Sequence, residues 1–108
     1  MAMYKVMIVD DEPVIRYGLK ASIPLEDYKY ELTGAFANGK EALDHFKKHC
    51  PDILITDIKM PVMDGLELAR HALDIHPSLK IIFVSSYSDF DYVREGLKLG
   101  AVDYLLKP

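Results

Sequence analysis

The stretch Val6-Met7-Ile8-Val9-Asp10-Asp11 decides the fold class, because four apolar residues run directly into two acids. Such a run has no polar alternation, and this is typical of a strand that is covered on both faces of a parallel sheet. Four more short runs follow, and only the second of the five alternates with polar residues. The predicted strands are Val6–Val9, Leu32–Ala37, Ile53–Ile55, Ile81–Val84 and Val102–Leu106.

Segments with helical periodicity separate these runs. They open on capping residues or close before proline or glycine, as helices do. The predicted helices are Glu12–Ile23, Asn38–His49, Asp64–Ile75 and Asp89–Leu99. Strand and helix therefore alternate as βαβαβαβαβ. Right-handed crossovers then favour an α/β flavodoxin-like fold, a five-stranded parallel sheet of order 2-1-3-4-5. We expect the last helix to be missing, since the chain stops at Lys107 and Pro108.

Length and composition predict one soluble domain over residues 1–108. The net charge of −4 argues against direct binding of nucleic acid, which relies on clustered Lys and Arg. The apolar runs are too short to cross a bilayer, no signal segment opens the chain, and Cys50 is the single cysteine. We therefore expect a cytoplasmic protein with no disulfide and no membrane contact.

Acidic residues follow two of the predicted strands at the place where such folds bind ligands. Asp10 and Asp11 end the first strand, with Glu12 next, and Asp57 ends the third. These strands flank the switch point of the sheet, beyond whose carboxyl ends ligands bind. Clustered carboxylates repel one another unless a cation is present, and oxygen ligands suit Mg²⁺ better than zinc. The sequence therefore predicts a magnesium site here.

Two further strand ends carry polar groups that suit phosphate chemistry. Ser85 ends the fourth strand and Lys107 the fifth. A carboxylate, a metal, a hydroxyl and an ammonium together suit phosphoryl transfer, which depends on positioning and on charge neutralisation. We therefore predict that Asp57 is a phosphoryl acceptor.

Several segments, in order along nearly the whole chain, resemble the receiver domain of two-component response regulators. They are Met7-Ile8-Val9-Asp10-Asp11-Glu12-Pro13, Asp52 to Pro61, Asp64-Gly65, Val84-Ser85-Ser86 and Ala101 to Pro108. The resemblance implies that Asp57 takes a phosphoryl group from a phosphohistidine of a sensor histidine kinase. It also implies a switch rather than an enzyme, with only self-catalysed phosphotransfer and autodephosphorylation.

The resemblance also assigns roles to individual residues. Asp11, Asp57 and the backbone carbonyl of Lys59 would ligate Mg²⁺ or Mn²⁺ directly, and Asp10 would act through a bound water. Ser85 would hydrogen-bond the phosphoryl oxygen and Lys107 would pair with it. Tyr104 matches the switch aromatic, which turns inward when the serine moves. A phosphoryl group adds charge and three acceptor oxygens, which can bias such a two-state surface.

The output is also predicted by resemblance. Ser85 to Tyr92 looks like receivers joined to AraC-type DNA-binding domains, which implies transcription regulation through a region absent from these residues. The missing helix leaves apolar surface, so a homodimer through the fourth helix and fifth strand is expected.

Three other functions and one other metal site fit the sequence less well. An FMN-binding flavodoxin needs a phosphate loop, which Asp10-Asp11-Glu12-Pro13 would repel. A haloacid-dehalogenase-type phosphatase wants an acid where Lys59 stands. An interaction module without phosphorylation would usually lack one of the acids or the lysine. His45 and His49 have a metal-capable spacing, but no third ligand is evident.

Overall fold

The fold of the chain is described by a computed structural model for residues 4–22, 30–60, 62–85, 94–95, 97–98, 100 and 103–106. For Ser22 and Asp103–Leu106 the description covers the backbone alone. The elements alternate as the sequence predicts. The strands are β1 (Tyr4–Val9), β2 (Tyr30–Phe36), β3 (Ile53–Asp57), β4 (Lys80–Ser85) and β5 (Asp103–Leu106). The helices are α1 (Pro13–Ser22), α2 (Gly39–Lys48) and α3 (Gly65–Ile75).

All strand pairs are parallel, and the order is β2-β1-β3-β4-β5. The predicted flavodoxin-like order is thus confirmed. Of the predicted fourth helix, residues 94, 95, 97 and 98 are helical, and the rest lies outside the described residues. Each boundary of the eight elements above differs from the prediction by no more than a few residues, as expected when a pattern locates elements better than their ends.

The main core lies between the sheet and the helices α2 and α3. Met7 and Val9 of β1 point into it, as do Leu54 of β3 and Phe83 of β4. Phe46 of α2 is completely buried against them. Its helical neighbours Ala42 and Leu43 share that face, as the four-residue spacing predicts. Burying the side chain of Phe46 alone contributes on the order of 2 kcal/mol.

The opposite face of the sheet is less enclosed among the described residues. The chain crosses the sheet in one direction from β1 to β2 and in the opposite direction from β2 to β3. Because both crossovers are right-handed, α1 lies on the face of the sheet away from α2. Ile15 and Leu19 of α1 are half-buried, as are Ile55 and Ile82 of the sheet. Val14 on the outer side of α1 is 82% exposed. No helix in the described ranges has the length and apolar character needed to cross a bilayer.

Side-chain caps define where α2 and α3 begin. The carboxamide oxygen of Asn38 accepts a hydrogen bond from the Glu41 N–H at 2.9 Å. The carboxylate of Asp64 accepts one from the Glu67 N–H at 2.8 Å. These bonds satisfy backbone donors that have no partner within the helix. The second cap places the start of α3 directly after the segment that follows Asp57.

Candidate phosphoacceptor and metal site

Two buried carboxylates lie at the carboxyl ends of adjacent strands. Asp10 follows β1 and is fully buried, and Asp57 closes β3 with 3% of its surface exposed. The two strands pair directly, with Val9 opposite Thr56 in the register. Buried acids are uncommon unless they are paired or bind a cation. The pair therefore defines the floor of a site at the predicted edge of the sheet.

Two exposed carboxylates complete a cluster of four. One oxygen from each of Asp10, Asp11, Glu12 and Asp57 lies within 4.8 Å of the others. The structure thus brings the three predicted acids together. It also brings Glu12 into the cluster, a residue that was predicted only to follow Asp11 in the chain. Its carboxylate joins the cluster because the chain turns into α1 immediately after it.

Hydrogen bonds hold the β1–α1 loop, defined here as Asp10–Glu12, in place. The Asp10 N–H donates to the Phe36 carbonyl of β2 at 2.9 Å, which continues the sheet pairing. The Glu12 N–H donates to Asp10 Oδ1 at 2.9 Å. Arg16 Nη1 donates to the Asp10 carbonyl at 2.7 Å. The loop that carries three carboxylates is therefore held by a backbone bond to β2, by the Asp10 carboxylate and by the Arg16 side chain of α1.

The Asp57 carboxylate is held by the backbone that follows it. The Ile58 N–H donates to Asp57 Oδ1 at 2.7 Å. The Thr56 hydroxyl donates to the Asp57 carbonyl at 2.9 Å. The Gly65 N–H donates to the Ile58 carbonyl at 2.6 Å, which draws the start of α3 onto the end of β3. These contacts orient the carboxylate and restrict its movement.

Gly65 is required by a close backbone approach. A Cβ atom placed there would overlap the Asp57 carbonyl oxygen and lie 2.9 Å from its carbon. Real Cβ atoms do not reach such distances, so any larger residue would displace the end of β3 or the start of α3. The expectation that Gly65 shapes the segment after the acceptor therefore has a physical basis.

Ser85 closes β4 beside the acceptor strand. It is fully buried, and Val84, the residue before it, lies opposite Asp57. Within the described part of the chain, the Ser85 hydroxyl has no hydrogen-bond partner. A buried hydroxyl in that condition costs about 1–3 kcal/mol. It is thus a buried donor, one residue beyond the position opposite Asp57, that an added oxygen within reach would satisfy.

The remaining predicted residues are located less completely. Lys107 lies outside the described residues, although Leu106 before it pairs with Ser85. The Tyr104 backbone lies in β5 opposite Phe83, and its side chain is outside the description. Lys59 is exposed, two residues after the acceptor. Its carbonyl as a metal ligand, and the roles of Lys107 and Tyr104, stay predictions.

The chemistry of the acid cluster fits a small divalent cation. All of its donors are carboxylate oxygens, which Mg²⁺ and Mn²⁺ prefer. Two donors are buried and two are exposed, so the ion could keep some of its waters on the open side. Four negative charges this close repel one another, and a cation would relieve that repulsion.

His45 and His49 form a different arrangement. Their ring centroids are 5.1 Å apart, and the His45 ring also packs on Phe36 at 5.0 Å. The pair borders an open groove of about 290 Å³ that Lys5 and Glu31 also line. In the ranges described, the acid cluster is the sole group of three or more metal-capable side chains.

Comparison with known proteins assigns the family. The response regulator receiver domain family matches residues 6–108. The transcriptional regulatory protein HptR of Staphylococcus aureus is 42% identical over 106 residues, which are 98% of this chain and 41% of that protein. The receiver domain of AraT from Geobacillus stearothermophilus is 39% identical, with a TM-score of 0.93 over 98% of this chain and 82% of that one.

A second similar structure is of a complex that contains ligands. It is the CheX–CheY–BeF3–Mg²⁺ complex from Borrelia burgdorferi, which is 28% identical with a TM-score of 0.86. The match covers 99% of this chain and 80% of that one. The chain belongs to the response regulator receiver domain family and is a phosphoacceptor signalling domain of the two-component type. It spans about 41% of the length of the curated relative named above.

Proposed function

We propose that Asp57 accepts a phosphoryl group from a phosphohistidine of a sensor histidine kinase, with Mg²⁺ held by the acid cluster. The observation that carries this proposal is the convergence of four carboxylates within 4.8 Å, of which Asp57 is nearly buried at a strand end. Asp10 and Asp11 join it from the neighbouring loop. Their convergence on the switch point matches the place where this class of fold binds ligands.

The geometry around Asp57 suits a nucleophile that is used once per signal. The Ile58 N–H fixes Oδ1 and thereby sets the plane of the carboxylate. In the transfer, a carboxylate oxygen forms a bond to phosphorus while the phosphorus–nitrogen bond of the phosphohistidine breaks. The electron pair of that bond returns to the imidazole nitrogen. Positioning of this kind, together with charge neutralisation, supplies most of the catalysis in phosphoryl transfer.

Asp10, Asp11 and Asp57, with the Lys59 carbonyl, are the groups proposed to hold Mg²⁺. The ion would neutralise negative charge on the phosphoryl oxygens. Support comes from the all-oxygen donor set of the cluster. The Borrelia burgdorferi complex, which contains Mg²⁺ and BeF3, is a protein of the same fold. Glu12 adds a fourth carboxylate on the exposed side of the site.

Ser85 is proposed to begin the switch, with Lys107 and Tyr104 as its partners. Its buried hydroxyl ends the strand beside Asp57 and has no hydrogen-bond partner in the described part of the chain, so a bond to a phosphoryl oxygen on Asp57 would satisfy it. Lys107 would pair with the same group. Movement of Ser85 would then open space for the Tyr104 ring and alter the face around the fourth helix and β5.

Residues 1–108 are proposed to act as a single regulatory domain whose output is transcription. HptR, a transcriptional regulatory protein, supports this, and the chain matches 41% of it. DNA would be contacted by another region, since the net charge of −4 argues against binding of the phosphate backbone by these residues. A homodimer through the fourth helix and β5 remains a prediction, as does cytoplasmic location. Turnover is limited to phosphotransfer and autodephosphorylation.

Incubation with acetyl phosphate and Mg²⁺, followed by intact mass measurement, tests the central proposal. The wild-type chain should gain the mass of one phosphoryl group, and Asp57→Asn should gain none. Asp74→Asn, an exposed acid on α3, is the matched control and should behave as wild type. An equal gain in Asp57→Asn, or no gain in the wild type, would reject Asp57 as the acceptor.

A further inference from the structure

The β1–α1 loop carries three carboxylates, and Arg16 is the cationic side chain that holds it from the first turns of α1. The guanidinium donates to the Asp10 carbonyl at 2.7 Å from a half-buried position. We propose that Arg16 is a positioning residue, which keeps this loop in the conformation that binds the metal. The inference rests on the proposed function, since it concerns the same cation.

Arg16 connects to the loop at two points. Its side chain bonds the carbonyl of Asp10, and its own backbone N–H donates to the Glu12 carbonyl at 3.0 Å. Between these points, the Glu12 N–H closes back on Asp10 Oδ1 at 2.9 Å. Asp11 lies between the two residues that these bonds join, and its own backbone takes part in none of the three bonds. Its position therefore depends on the bonds of its two neighbours.

Electrostatics explain why such a connection is needed. Without a cation, the carboxylates of Asp10, Asp11 and Glu12 repel one another and also repel Asp57. Asp57 is fixed by the sheet, so the loop is the part that can move to lower the repulsion. A charged donor to the Asp10 carbonyl makes a stronger hydrogen bond than a neutral one. Arg16 thus opposes a movement that would open the site.

Two effects of Arg16 on metal affinity have opposite signs. Its positive charge near the cluster disfavours a second cation, so removing it would by electrostatics alone strengthen Mg²⁺ binding. Its hydrogen bond pre-organises the ligands, so removing it would weaken binding. Groups that orient metal ligands typically change affinity by about 10- to 100-fold. The charge lies at a partly solvated position and is screened, so we infer that positioning dominates.

Titration calorimetry with Mg²⁺ separates the two effects. Arg16→Gln should weaken Mg²⁺ binding about tenfold relative to wild type. Arg16→Lys keeps the charge and one donor, and its affinity should lie between the two. Arg70→Gln removes the same charge from an exposed position on α3 and should leave the affinity within about twofold. Equal or tighter binding by Arg16→Gln would overturn the proposal.

Hydrogen exchange of the Glu12 amide in the metal-free protein gives a second readout. Arg16→Gln should speed that exchange about tenfold, while amides in β3 exchange as in wild type. If all amides of Arg16→Gln exchange faster, the residue stabilises the whole fold and the positioning role is wrong. Arg16→Lys keeps a donor and provides the folded comparison for that measurement. If wild type binds no Mg²⁺, the proposed function fails as well. If it binds and the Arg16 variants match it, this inference alone fails.

Discussion

The two loops that build the site are held by different means. The β1–α1 loop (Asp10–Glu12) supplies three carboxylates, and besides backbone bonds at its two ends it is held by side-chain bonds from Arg16 and to the Asp10 carboxylate. The β3–α3 loop, residues 58–64 with 61 outside the described part, follows Asp57, and besides side-chain bonds at its two ends it is held by a close approach of backbone to backbone. Gly65 allows that approach.

This difference has a consequence for substitution and for dynamics. A loop held by side-chain hydrogen bonds can change its carboxylate positions without breaking the core, which suits ligands that close around an ion. A loop held by tight backbone packing behaves as part of the core, which suits a nucleophile that must be presented in one orientation. The carboxylates of the first loop are thus predicted to be adjustable and that of Asp57 rigid.

The largest effect is expected at the tight approach of the second loop. Gly65→Ala should lower the free energy of unfolding by about 3 kcal/mol, because its Cβ would overlap the Asp57 carbonyl. Gly18→Ala is the matched control, since a Cβ in that helix meets nothing within 4 Å. It should raise stability by about 0.5–1 kcal/mol. Urea denaturation measures both, and equal effects would contradict the assigned role of Gly65.

The next effect concerns the first loop and its ion. With free Mg²⁺ at about 100 times its dissociation constant, the free energy of unfolding should rise by about 2.7 kcal/mol, because the ion binds only the folded site. In Asp11→Asn most of this gain should disappear. In the absence of Mg²⁺ the same variant should be more stable than wild type, since one repelling charge is gone.

Asp44→Asn, on the exposed side of α2, controls for the loss of one acid. It should keep the full gain from Mg²⁺. Thermal unfolding with and without the ion provides the comparison. A gain of the same size in Asp11→Asn would mean that the ion stabilises the chain elsewhere.

A smaller effect is expected where the second loop meets α3. Asp64→Ala removes the side-chain acceptor for the Glu67 N–H and should cost about 1 kcal/mol. Asn38→Ala removes the equivalent cap of α2 and should cost a similar amount. The two should differ in phosphorylation rate, with Asp64→Ala slower, because only its helix begins on the acceptor loop. Identical rates would show that the loop position does not depend on this cap.

The smallest effect is expected at Val62, which has a φ of 71° in the second loop. A β-branched residue in that conformation is strained by about 1–2 kcal/mol, and glycine is not. Part of the gain is lost to the greater freedom of glycine in the unfolded chain. Val62→Gly should therefore raise the free energy of unfolding by about 0.5 kcal/mol. A loss of stability in urea denaturation would mean that the exposed side chain makes compensating contacts.

Prediction from the sequence succeeded where one physical rule was enough. Strands covered on both faces lack polar alternation, so Val6–Val9 and Ile81–Val84 were found within β1 and β4. Helix caps follow from local chemistry, and Asn38 and Asp64 both serve as caps in the structure. The handedness of crossovers then reduced the topologies to the one observed.

The site was predictable to the same extent. The carboxyl ends of parallel strands meet at one edge of the sheet, so the acids that follow β1 and β3 had to lie close together there, whatever the other side chains of the sheet are. That argument located Asp10, Asp11 and Asp57 as neighbours. It could not include Arg16, because an arginine in an amphipathic helix usually lies in solvent and its bond to a loop carbonyl leaves no periodic trace.

Sequence by itself thus determined the order of elements, the sheet topology and the edge at which the carboxylates meet, because all three follow from periodicity and chain direction. Tertiary structure alone decided how the site is held: the turn of Glu12 into the cluster, the reach of Arg16 and the approach of Gly65 to the acceptor carbonyl. Those contacts form only if the distances between packed segments are right to within a few tenths of an ångström. Such distances are set only when the whole core packs.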